Sequence, residues 1–157
     1  MSDFARLVAA EIAAVGDFIK LLGEEAAVLQ AGDAKGLESL ILAKERQAGK
    51  LQKIGEERDA CLAALGVGQN APAVEAWLAR QDDPRLREAW RDLMQLAREA
   101  RELNQANGQC IALLSRDVRA KIDVLTGRSA ENELYGQKGR SSPFSPVNAG
   151  RRIRDSV

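Results

Sequence analysis

The sequence predicts an all-α protein: an antiparallel bundle of three long helices and one short helix, followed by a disordered C-terminal tail. Three observations support this prediction. Apolar residues recur at alternating steps of three and four over long stretches, which is the spacing of one helical face. Glycines and prolines divide these stretches into separate segments. Aromatic residues make up only 4% of the chain, so the core must be aliphatic, as in bundles with coiled-coil-like packing.

The first helix is expected to begin at Ser2 or Asp3, because either side chain can cap a helix N-terminus. Gly32 is placed to end it in the left-handed conformation. One row along this helix is apolar except for two acids, and its members are Phe4, Val8, Glu11, Val15, Phe18, Leu22, Glu25 and Leu29.

The second helix is predicted from about 34 to 65, with Asp33 as its N-terminal cap and Gly66 at its end. Its row is also apolar except for two charges and consists of Leu37, Leu40, Lys44, Leu51, Ile54, Arg58, Cys61 and Leu65. Since the connection is short, the first two helices should be antiparallel neighbours. We fold the hairpin about its turn so that the numbers of facing residues add to 69. In this register Phe4 faces Leu65, and the charged residues form the pairs Glu11–Arg58 and Glu25–Lys44. Such pairs fix register more than they add stability.

Two further helices follow a polar loop. Pro72 can open a short helix, and Asp83 followed by Pro84 is a strong start signal for a long one. The long helix should continue to about residue 126 and end at Gly127. Trp90, one turn before its main apolar row, is expected to anchor the short helix against the long one.

The main row of the long helix has a single polar member. It consists of Leu93, Leu96, Ala100, Leu103, Asn107, Cys110, Leu114, Val118, Ile122 and Leu125. One asparagine in an apolar row is typical of a bundle that uses a polar residue to fix register, and Asn107→Leu is then expected to raise thermal stability or change assembly. Gly108 is either a tolerated defect in the helix or a point where a partner backbone packs closely. Asn104, on the same face as Asn107, is either solvated or a binding residue.

After residue 127 no helical period remains, so we predict a helical domain over 1–127 and a flexible tail over 128–157. Tyr135 is the only tyrosine, and it is either an incidental exposed aromatic or a docking residue. The basic stretch 151–154 is weak support for nucleic-acid or lipid binding.

Composition argues against catalysis. The chain has no histidine, which removes the commonest metal ligand and general base, and its net charge is +0. We therefore expect no enzymatic activity, cofactor or metal site, and no nucleic-acid partner. Cys61 and Cys110 are expected to be small buried residues in a reducing compartment. No stretch is long and apolar enough for stable membrane insertion, and a cytoplasmic location is expected.

Three features together resemble the FlgN family of flagellar export chaperones. They are Lys44 and Arg58 spaced along the second helix, the stretch Leu103-Asn104-Gln105-Ala106-Asn107-Gly108, and Leu134-Tyr135-Gly136-x-x-Gly139. Their order and separation also match, and the resemblance covers nearly the whole chain.

The resemblance implies a cytoplasmic chaperone that binds the C-terminal segments of hook–filament junction proteins, prevents their premature assembly and delivers them to the export gate. It places substrate binding in the late long helix and the tail, which here indicates Asn104, Asn107, Leu114, Val118, Ile122 and Leu125. It assigns docking on the cytosolic domain of the gate protein to Tyr135.

Two other classes of function stay open at this point. One is a structural coiled-coil adaptor without an export role, and the other is a nucleic-acid binder that uses the basic tail. The sequence also leaves open whether the chain forms a homodimer.

Overall fold

The computed structural model describes residues 2–127 and contains four helices in this part of the chain. They are α1 (Asp3–Ala31), α2 (Ala34–Ala64), α3 (Ala71–Ala79) and α4 (Pro84–Leu125). The predicted all-α fold, with three long helices and one short helix, is confirmed. Within the described residues the chain divides into two units, with the boundary between Ser115 and Arg116. The predicted tail over 128–157 lies outside the described residues, so the domain boundary after residue 127 stays a prediction.

The helix ends follow the local signals in the sequence. The Ser2 hydroxyl accepts a hydrogen bond from the Ala5 amide at 3.2 Å, and the Asp33 carboxylate accepts one from the Gly36 amide at 3.0 Å. Gly32 has a φ of 67° and bonds back to the last turn of α1, as a left-handed cap should. Local chemistry therefore accounts for where α1 ends and where α2 begins.

The α1–α2 hairpin has the register that the charge pattern predicts. Arg58 Nη1 lies 2.7 Å from Glu11 Oε1, and Lys44 Nζ lies 2.9 Å from Glu25 Oε2. Because the earlier acid pairs with the later base, these contacts also show that the two helices are antiparallel. Both predicted ion pairs are confirmed.

The C-terminal end of α2 differs from the prediction. Leu65 was expected to face Phe4, but it lies beyond the last helical residue and is 52% exposed. Leu62 is fully buried instead and belongs to the same core cluster as Val74 and Leu78 of α3. The reason is tertiary, since this end of α2 packs in a cluster that also includes α3 and α4, which shifts its buried face away from the row opposite α1.

An aromatic cluster joins three of the helices. The Phe4 ring lies 5.2 Å from the Trp77 ring in an edge-to-face arrangement and 6.0 Å from the Trp90 ring, measured between centroids. The Arg58 guanidinium lies 5.7 Å from the centroid of the Trp90 ring. Trp90 is buried, as an anchor should be, but it is Phe4 of α1 that contacts both tryptophans and so connects α3 with α4.

Candidate functional site

A buried polar cluster links α1, α2 and α4. Glu25 is 4% exposed and accepts hydrogen bonds from Lys44 Nζ at 2.9 and 3.0 Å. Asn107 is 5% exposed, and its Nδ2 donates to Glu25 Oε2 and to the Leu22 carbonyl, both at 2.8 Å. One carboxylate therefore holds a lysine from one neighbouring helix and an amide from another.

These bonds give Asn107 the packing role that its position in the apolar row predicts. Its amide donates to the Leu22 carbonyl of α1 in the same chain. This bond fixes the register of α4 along the axis of α1. Residues 4 and 90 are in contact near the start of both helices, and 22 and 107 are in contact further along. Hence α4 runs parallel to α1, as the third long helix of an up-down-up bundle must.

Gly108 follows Asn107 but is not a close contact within the described chain. A Cβ built there would meet no atom within 4 Å. No other helix of the described chain therefore packs closely against Gly108, and close packing by a partner backbone stays a prediction.

An open groove lies beside the polar cluster. It has a volume of about 370 Å³. Half of its lining residues are apolar, and the other half are the Glu25–Lys44 pair, Glu45 and Asn104. The lining residues are Phe18, Glu25, Ile41, Lys44, Glu45, Ala48, Asn104 and Ile111. For Asn104 the sequence allows either a solvated side chain or a binding residue. In the structure Asn104 is exposed and borders this groove.

The later members of the α4 row are exposed. Leu114, within the unit Met1–Ser115, is 42% exposed. In the unit that begins at Arg116, Val118 is 56% exposed, Ile122 49% and Leu125 85%. Exposed large aliphatic residues at helical spacing are typical of a surface that a partner covers. Tyr135 lies outside the described residues, so its docking role stays a prediction.

Sequence reasoning missed the groove, although one signal for it was present. Between Leu40 and Leu51 the α2 row lacks large apolar residues and contains Lys44, with Gln47 and Ala48 near it. Small and polar side chains at a helix interface leave space that aliphatic residues would fill. This interruption of the apolar row predicts the charge pair, and the space beside it becomes visible only in the structure.

A second ion pair lies toward the other end of the hairpin. The Glu11 and Arg58 side chains are 12% and 16% exposed, and Arg58 also binds Asp59 at 2.9 Å. Burial raises the pKa of the Glu11 carboxyl above its ordinary value of 4.5, and the charge and hydrogen bond of Arg58 oppose that shift. This pair matches the register of α1 to that of α2 and does not border the groove.

Two other kinds of feature are absent from residues 2–127. No cluster of three or more metal-ligating side chains is present there. No helix of this part of the chain combines the length and the apolar character needed to span a membrane. Cys61 and Cys110 are unpaired thiols, and each is half-buried where burial was expected.

Comparison with known proteins places these observations in a family. The family described as FlgN protein matches residues 1–143. A solved structure from Pseudomonas aeruginosa, described as a flagella synthesis protein FlgN, has a similar fold, with a TM-score of 0.63 and 22% sequence identity. The match covers 78% of this chain and 98% of that one, and at this identity it supports the fold alone. No curated protein matches the chain.

Proposed function

The chain belongs to the FlgN family, and on that premise we propose that it is a flagellar export chaperone which binds the C-terminal segments of hook–filament junction proteins. It keeps these segments from assembling early and delivers them to the cytosolic domain of the export gate protein. The observation that carries this proposal is the exposure of Val118, Ile122 and Leu125 on the last turns of α4.

These residues suit a helical partner. They are spaced by four and three residues, so they form one row along the helix surface. An amphipathic segment that is disordered in its free state can lay its apolar side on such a row and become ordered there. The ordering entropy lowers the net affinity, which favours release at the gate.

The proposed binding residues do not all act in the same way. Leu114, Val118, Ile122 and Leu125 contact the segment through their aliphatic side chains, and Asn104 contributes an exposed amide. Asn107 is already bonded to Leu22 and Glu25, so its contribution to binding is to hold α4 in position.

Calorimetric titration with the C-terminal segment of a hook–filament junction protein from the same bacterium tests the binding surface. Ile122→Asp should weaken binding at least about tenfold, because a charge replaces an aliphatic side chain that the bound segment buries. Ala120→Asp is the matched control, since it adds the same charge at an exposed position of the same helix outside the row. An equal effect of both variants would contradict the proposed surface. Failure of the wild-type chain to bind would favour the adaptor alternative.

Delivery to the gate is proposed to depend on Tyr135. A tyrosine can bury its ring at a partner surface at low entropic cost, and such residues are frequent hot spots. Tyr135→Ala should weaken binding of the substrate-loaded chaperone to the gate domain by about 2 kcal/mol and leave binding of the junction segment unchanged. Unchanged gate affinity would remove Tyr135 from the site. Loss of segment binding would instead indicate that the tail packs on the bundle.

A further inference from the structure

We infer that the groove between α1, α2 and α4 is a second contact site for the same partner segment, and that it takes an aliphatic side chain accompanied by a basic residue. This inference rests on the proposed function and adds the chemistry of the partner. The groove is lined by residues between Phe18 and Ile111, whereas the surface proposed above lies mainly after residue 115.

The walls of the groove fit an aliphatic side chain. Phe18, Ile41, Ala48 and Ile111 supply apolar surface, and Ile41 is 48% exposed although it is a large hydrophobic residue. A volume of about 370 Å³ would accommodate one or two aliphatic side chains and is open to a partner. The groove is open to solvent, so a partner that filled it would bury the apolar surface of its walls.

The polar residues at the groove select the charge of the occupant. Glu25 already forms an ion pair with Lys44 and accepts a hydrogen bond from Asn107, so its carboxylate has little capacity left to bind a ligand. By contrast, Glu45 and Asn104 make no ion pair or side-chain hydrogen bond with any other residue of the described range. A free carboxylate next to apolar walls complements a lysine or arginine that lies within one helical turn of the inserted side chain.

This pattern favours a peptide segment over the other occupants. A second copy of the chain whose groove met this one across a two-fold axis would bring the two Glu45 carboxylates together, and like charges would oppose that contact. The chemistry therefore points to an amphipathic helical segment that carries an aliphatic residue and a basic residue on one face.

Filling the groove tests the inference. Ala48→Leu places a larger side chain in the open space, and Ala60→Leu makes the same change at an exposed position of α2 away from the groove. In titrations with the junction segment, Ala48→Leu should weaken binding about tenfold and Ala60→Leu should leave it unchanged. Circular dichroism and the unfolding midpoint of both variants show whether the fold is retained.

Charge reversal tests the polar part. Glu45→Lys should weaken binding about fivefold at low salt, and the difference should shrink as salt is added, because the attraction to a basic residue is screened. Glu38→Lys is the matched control at an exposed α2 position that does not border the groove. Equal effects of the two variants would overturn the assignment of a basic occupant.

Methyl NMR separates this inference from the proposed function. On addition of the segment, the methyl signals of Ile41 and Ile111 should shift together with those of Val118 and Ile122. Binding that shifts only Val118 and Ile122 and is unaffected by Ala48→Leu overturns the groove site and leaves the proposed function standing. A segment that does not bind the wild-type chain overturns both.

Discussion

Among single residues, Asn107 has contacts that reverse an expectation from the sequence. A leucine in an apolar row should stabilise a bundle, but here Asn107 donates to the buried carboxylate of Glu25. Asn107→Leu removes that donor, so we now expect it to lower the free energy of unfolding by about 1–3 kcal/mol. Urea denaturation measures the change. The control is Asn104→Leu, at an exposed position three residues earlier, which should change stability by less than about 0.5 kcal/mol. A rise in stability for Asn107→Leu would show that apolar packing in the row outweighs the bond to Glu25.

Glu11 gives the hairpin a dependence on pH. Its carboxyl has a folded-state pKa above 4.5. Between pH 4.5 and that pKa, the folded chain therefore retains the proton while the unfolded chain releases it. The contribution of Glu11 to stability is therefore fully present below pH 4.5 and is lost as the pH rises through the folded-state pKa. Glu11→Gln removes this titration. We expect the stability of the wild type relative to the variant to fall with rising pH above 4.5, as measured by urea denaturation at several pH values. A difference that is constant with pH would contradict this role of burial.

At the level of helices, the Glu25–Lys44 pair tests how α1 and α2 hold their register. Lys44→Met leaves Glu25 buried without its cation, and we expect a loss of about 2–3 kcal/mol, below the usual range for buried pairs because the Lys44 side chain is 25% exposed. Glu25→Leu combined with Lys44→Met should recover most of that loss, since an apolar pair needs no desolvation of charge. A double-mutant cycle by urea denaturation separates the two terms. If the double variant were no more stable than Lys44→Met alone, the loss would come from the missing contacts of Glu25, including its bond with Asn107, and not from an unpaired buried charge.

For the molecule as a whole, the core predicts which parts of the chain the fold requires. Every buried residue of the described range lies between Phe4 and Asn107. A chain shortened to residues 1–127 should therefore unfold at the same urea concentration as the full chain, as reported by the fluorescence of Trp77 and Trp90. It should also bind the junction segment and lose binding to the gate domain. A lower unfolding midpoint would show that residues 128–157 contribute to the fold, against the predicted division into domain and tail.

The sequence determined the helices, their ends and the hairpin register because each of these depends on local chemistry or on a repeating pattern. Ser2, Asp33 and Gly32 act within one helical turn of their own positions. The register of α1 against α2 could be predicted because their acids and bases match only when opposed residue numbers add to 69.

The tertiary structure alone decided what depends on three helices meeting at once. Leu62 replaces Leu65 in the core because α3 and α4 also pack at that end of α2. Glu25 accepts from both Lys44 and Asn107, a coincidence of three helices that no pairwise pattern encodes. The groove beside Asn104 has the same origin: it is bordered by Ala48 of α2 and Ile111 of α4, residues 63 positions apart in the sequence (111 minus 48), which only the packing of the helices brings to one groove.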